Sequence, residues 1–152
     1  MSSENKLRAS FGSFVNDIDS FDSSSFRISK AEASKMSPQQ RILLECSFMT
    51  FKDAGYTLNE MQGLNCGVFV GMAASGNSSG YEKGKSSVYD ATGTAASIAT
   101  GRISYVFDFK GPNSAFDTAC SSLLVALNAA VLSLQSEVCK AVLVAGIDKL
   151  FD

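Results

Sequence analysis

The stretch Asp117-Thr118-Ala119-Cys120-Ser121-Ser122 (DTACSS) lies between an extended segment, residues 113–119, and an apolar stretch, residues 123–134. A cysteine at such a strand-to-helix junction is placed for nucleophilic chemistry. The amide N–H groups of a helix's first turn have no intrahelical acceptors. The helix dipole adds partial positive charge at the same point, which stabilises negative charge on a sulfur. Those amides can also stabilise an oxyanion formed on an acyl group attached to the sulfur. A buried structural thiol is the simpler reading of most cysteines. The flanking serines and the abrupt change of periodicity argue against it here.

Working outward, residues 121–136 read as a helix that is apolar nearly all round (Leu123, Leu124, Val125, Ala126, Leu127, Ala130, Val131, Leu134), and such a helix is expected to be buried. Residues 140–146 (KAVLVAG) read as a final buried strand. Upstream, residues 108–113 form a turn, and residues 92–103 are rich in small side chains that suit a tightly packed helix. Residues 66–71 (CGVFVG) read as a short buried strand. Residues 38–54 form the first clear helix. Ser37-Pro38-Gln39-Gln40 is a capping-box signature, and Gly55 stops the helix. Ile42, Cys46 and Met49 recur at helical spacing, with Leu43, Leu44, Phe48 and Phe51 widening the apolar face. Residues 1–35 are a loop-rich lead-in in which Phe11, Phe14, Phe21 and Phe26 act as anchors. The alternation of strands and helices gives an α/β layered fold with a largely buried sheet, in one domain over residues 1–152 and without internal repeats.

Composition excludes several classes of function. The chain is 45% hydrophobic and 18% charged with a net charge of −2, which leaves no electrostatic footprint for nucleic acid or an anionic membrane. Apolar runs break well before the ~18 residues of a transmembrane helix, and the first residues lack the apolar core of a signal peptide. Four cysteines, at 46, 66, 120 and 139, form no CxxC pair, so no metal site is expected and a reduced, cytoplasmic setting fits. Cys46 and Cys139 read as core or near-core thiols and Cys66 as a strand-edge residue. Residues 73–90 are a Gly/Ser-rich loop. Within it, Gly80-Tyr81-Glu82-Lys83-Gly84-Lys85-Ser86 imitates a phosphate-binding loop but is one residue short between its glycines. A solvated loop is the better reading. The chain contains no histidine. Acyl-transferring cysteines usually rely on an imidazole, so the nucleophile lacks its customary partner.

The ordered set of motifs resembles the ketosynthase domain of type I polyketide synthases, within the thiolase-like condensing enzymes. The matching pieces are residues 11–26, Met36-Ser37-Pro38-Gln39-Gln40-Arg41-Ile42-Leu43-Leu44-Glu45, Asp53-Ala54-Gly55, Gly67-Val68-Phe69-Val70-Gly71 and Gly101-Arg102-Ile103-Ser104-Tyr105. They continue through Gly111-Pro112 and residues 117–127 to Ala145-Gly146. The resemblance implies the incomplete N-terminal half of a thiolase-like layered α/β fold. It implies that Cys120 carries an acyl thioester for decarboxylative Claisen condensation with a malonyl-type extender, and that its own backbone N–H serves in the oxyanion hole. No free cofactor is implied. Substrates would arrive on the phosphopantetheine of an acyl carrier protein. The implied partners are that carrier and either a second copy or the remaining ketosynthase sequence, with the strand entering the cysteine pairing across a two-fold axis. The family's two catalytic histidines belong to its C-terminal half. The chain departs from the family pattern at Ser37, where aspartate is usual, at Asn128, where histidine is frequent, and at Gly146-Ile147-Asp148, where Gly-Val-Asn is usual. The alternative function is a catalytically inactive, truncated paralogue that accepts an acyl group or binds a partner.

Overall fold

The computed structural model describes residues 17, 18, 20–73, 92, 93 and 95–148. The anchors Phe11 and Phe14, nearly all of the Gly/Ser-rich loop and its phosphate-loop imitation lie outside the described residues. In chain order the elements are α1 (Lys30–Ala33), α2 (Pro38–Asp53), α3 (Leu58–Met61) and β1 (Cys66–Met72), then α4 (Ala96–Phe107), β2 (Asn113–Phe116), α5 (Ser122–Gln135) and β3 (Ala141–Ile147).

The three strands form a parallel sheet in the order β2-β1-β3. Parallel strands need crossover connections, and these are supplied by the segment bearing α4 and by α5. The central strand β1 is buried along its whole length, as expected for a strand covered on both faces. Its side chains alternate between two cores. Cys66, Val68, Val70 and Met72 join Leu43 and Leu44 of α2 and Ile103 and Phe107 of α4. Phe69 faces the other way, onto Ala126 and Ala130 of α5. The molecule is thus layered helix–sheet–helix, with α2 and α4 on one side and α5 on the other.

The outer strands correct the expectation of a largely buried sheet. In β3 only Leu143 is fully buried, and β2 is half-exposed. Among the described residues neither outer edge has a further strand.

Helix α2 begins as expected. The Ser37 hydroxyl accepts from the Gln40 N–H at 3.3 Å, Pro38 occupies the first turn, and the chain leaves the helix through Gly55 at φ +87°. The reciprocal half of the capping box is absent, however. The Gln40 side chain donates instead to the Thr92 carbonyl at 3.0 Å and accepts from Arg102 Nε at 3.2 Å. Arg102 also pairs with Glu32. Gln40 is 1% exposed, so this is a buried polar clamp joining α1, α2 and α4 to the segment that enters α4. A complete capping box occurs in α3, where Thr57 and Glu60 exchange both bonds.

The expected inward face of α2 is rotated. Leu43, Leu44, Ser47 and Phe51 are buried with Gln39 and Gln40, whereas Cys46 is exposed and Met49 is 65% exposed. Polar groups occupy the inward stripe because each finds a partner: the Ser47 hydroxyl, for example, donates to the Leu43 carbonyl at 2.5 Å. The lead-in is held by aromatic packing. Phe21 stacks on Phe26 at 5.3 Å, and the Phe26 ring meets Phe48 and Phe107 edge-on.

Candidate active site

Strand β2 stops at Phe116, three residues short of the expected end. The reason is local. Asp117, Ser121 and Ser122 offer the backbone side-chain partners that compete with a strand ladder. Asp117 Oδ1 accepts from the Ala119 N–H at 3.4 Å. The Ser122 hydroxyl accepts from the Thr118 N–H at 2.8 Å and donates to the Ala119 carbonyl at 2.7 Å. The Ser121 hydroxyl donates to the Thr118 carbonyl at 2.8 Å and lies 2.9 Å from the Thr118 hydroxyl. Within this turn Ala119 takes φ +54°, the left-handed region that non-glycine residues rarely enter. Cys120 follows immediately and is exposed.

Helix α5 starts two residues later. Its N-cap, Ser121, makes no side-chain cap bond because that hydroxyl is spent on Thr118. The helix start is also seated closely on the sheet. Gly71 and Gly146 are register partners at the ends of β1 and β3. A Cβ on Gly71 would stand 2.5 Å from the Leu123 amide nitrogen, and one on Gly146 would stand 3.1 Å from the Leu123 side chain. The absence of both side chains lets the backbone of the first turn approach β1.

An exposed cysteine beside the N-terminus of a 14-residue helix can attack a carbonyl, and amides at the helix start can stabilise the resulting oxyanion. The structure does not gather the other cysteines near it. Cys46 is exposed on α2 rather than in the core. Cys66 is 0% exposed on the central strand rather than at an edge, and Cys139 is buried as expected. Burial, reinforced by the nearby Cys139, pushes the Cys66 thiol up to about 11. A groove of about 420 Å³ between Phe26, Phe48, Leu58, Val106 and Phe107 shares no residue with the Cys120 turn. Among the described residues there is no cluster of three metal-ligating side chains, and no helix is long and apolar enough to cross a membrane.

Helix α5 contradicts the expectation that it is buried. Ser122, Ala126 and Ala130 are its only fully buried residues. Leu124 is 68% exposed and Leu132 55% exposed, with Leu123, Leu127 and Val131 also outward. An all-round apolar helix needs cover on two sides, and the described residues cover one. Sequence reasoning also missed the Ser122 bridge and the glycine seat. The glycines ending two apolar strands, at 71 and 146, were the available signal.

The model of the beta-ketoacyl synthase N-terminal domain matches residues 2–152. The chain is 45% identical over 139 residues to cyclo-acetoacetyl-L-tryptophan synthase of Aspergillus oryzae, covering 90% of this chain and 4% of that protein. It is 37% identical over 148 residues to polyketide synthase PksN of Bacillus subtilis, covering 96% of this chain and 3% of that protein. Among solved structures it is similar to an oxazolomycin ketosynthase domain (KS7) of Streptomyces albus JA3453, with TM-score 0.83, 34% identity, and coverage of 95% of this chain and 26% of that one. It is also similar to the module 6 ketosynthase of the bacillaene synthase of Bacillus subtilis 168, with TM-score 0.74, 34% identity, and coverage of 91% and 23%. The chain therefore spans a few per cent of its curated relatives and about a quarter of the solved ketosynthases. With the family model covering residues 2–152 of the chain and the fold shared with solved ketosynthases, this chain belongs to the β-ketoacyl synthase N-terminal domain family and corresponds to part of a polyketide synthase ketosynthase domain.

Proposed function

We propose that Cys120 is the acyl acceptor of a polyketide-type β-ketoacyl synthase. The observation that carries this reading is its exposed position, one residue after the left-handed Ala119 and at the uncapped start of α5. The reaction is thiol–thioester exchange. The Cys120 sulfur attacks the carbonyl of an acyl chain carried on the phosphopantetheine thiol of an acyl carrier protein. A carbon–sulfur bond forms, and the Cys120 amide donates to the oxyanion. Collapse breaks the bond to the carrier sulfur, which leaves with the proton that Cys120 gave up.

The following steps, decarboxylation of a malonyl-type extender and carbon–carbon bond formation, need groups that this chain does not contain. It has no histidine. Family membership supports histidines supplied by further ketosynthase sequence, and the open outer edge of β2 is the surface on which two copies would pair. The same absence of histidine favours a second reading, a non-catalytic paralogue that only accepts acyl groups or binds a partner.

The test is intact-mass and peptide mass spectrometry after incubation with an acyl-carrier thioester. We expect one acyl group on Cys120, none on Cys120→Ala, and no decarboxylation of a malonyl thioester by the chain alone, because loss of members of a catalytic unit costs several orders of magnitude. Acylation first at Cys46, the other exposed thiol, would overturn the assignment. Decarboxylation by the chain alone would overturn the dependence on histidines from elsewhere.

A further inference from the structure

We propose that Ser122 is a positioning residue, one that holds the turn bearing Cys120 in its reactive geometry. The inference rests on the acyl-acceptor reading above and deepens it. Ser122 differs from its neighbour Ser121 in one decisive respect. The Ser121 hydroxyl is exposed, so water can replace its bonds. Ser122 is 7% exposed, and its hydroxyl bonds to both sides of the strained residue. It accepts from the Thr118 N–H at 2.8 Å and donates to the Ala119 carbonyl at 2.7 Å. Those two groups flank the φ +54° of Ala119, a conformation that surroundings must over-determine to maintain. The glycine seat adds a second constraint. The Ser122 backbone carbon would lie 2.5 Å from a Cβ on Gly71, so the residue that makes the bridge is itself pressed against β1. The orientation of the Ala119–Cys120 peptide, and with it the Cys120 amide, follows from this pair of contacts. Oxyanion stabilisation depends on that direction, whereas simple displacement at an unhindered carbon does not.

The experiment compares the full chain with Ser122→Ala, Ser122→Thr and Ser121→Ala by two readouts. The first is the HN–Hα coupling and carbon shifts of Ala119 by NMR, which report its left-handed φ directly. The second is the rate at which Cys120 is acylated by a small acyl thioester, set against its alkylation by iodoacetamide. In Ser122→Ala the Ala119 signals leave their left-handed values, and acylation slows about tenfold while alkylation changes by less than about twofold. Ser122→Thr restores both, and in Ser121→Ala, where water takes over the exposed bonds, both change less than in Ser122→Ala. If circular dichroism shows Ser122→Ala unfolded, Ser122→Cys takes its place, weakening both bonds with a small gain in size, and labelling is then assigned to Cys120 by fragmentation mass spectrometry. A Ser122→Ala chain that retains the Ala119 signals and the acylation rate overturns the inference. If Cys120 of the unsubstituted chain accepts no acyl group, the proposed function fails, and the Ala119 signals alone decide the role of Ser122.

Discussion

Cys66 and Cys120 show how position sets what a thiol can do. Cys120 stands in solvent at a helix start, whereas Cys66 begins the central strand with no exposed surface. The Cys66 thiol is raised from 9.0 to about 11, first by burial and then by the proximity of Cys139. Above the ordinary value, the unfolded chain releases the proton and the folded one keeps it. The resulting contribution to stability is complete below pH 9, and it is lost as pH rises towards about 11. Urea unfolding from pH 8 to 11 should therefore show a fall in stability that Cys66→Ala lessens. An equal fall in the variant would remove Cys66 as the cause. In the unsubstituted protein, Cys66 and Cys139 should resist thiol reagents until the chain unfolds.

At the level of elements, two glycines that look alike in the sequence have opposite roles. Gly71 ends β1 where the backbone of α5 passes, and an added Cβ would come within 2.5 Å of the Ser122 carbon and the Leu123 nitrogen. Those atoms are backbone, so the helix start must move. Gly71→Ala should destabilise the chain by about 1–3 kcal/mol and slow acylation of Cys120. Gly101 lies inside α4 and has open space where a Cβ would stand. Gly101→Ala should stabilise by about 0.5–1 kcal/mol, because alanine loses less conformational freedom in a helix. Urea denaturation of both variants measures the contrast, and a stabilising Gly71→Ala would show that the seat is not tight. The small-residue stripe thus marks close packing only where a neighbouring backbone approaches.

For the whole molecule, the dominant feature is the uncovered side of α5. Leu124 and Leu132, 68% and 55% exposed, stand out with their neighbours as a contiguous apolar face. Patches of this kind promote association. Covering a leucine is worth about 1.5–3 kcal/mol, so concentration should drive the isolated chain into oligomers. Replacing both with serine should shift the isolated chain towards monomer in analytical ultracentrifugation. Since both side chains are largely exposed, the two changes should cost less than about 0.5 kcal/mol each in monomer stability. A monomeric unsubstituted chain at high concentration would contradict this reading of the face.

The order of the three strands and three long helices, the Ser37 cap, the stop at Gly55 and the strand-to-helix junction at Cys120 were legible in the amino-acid sequence, whereas the short helices α1 and α3 were not. Each legible feature depends on neighbours within a few residues: a capping hydroxyl, a missing Cβ, a change from period two to period 3.6. The family could be read as well, since its motifs are local and ordered. Tertiary structure alone decided which face of α2 turns inward, because Gln40 is buried by acceptors 52 residues away at Thr92. It alone decided that β1 is central while β2 and β3 flank it as the outer strands among the described residues, since pairing order has no local signature. Finally, it decided the exposure of α5. Hydrophobicity dictates that a surface should be covered, but only the arrangement of the remaining chain determines whether anything covers it.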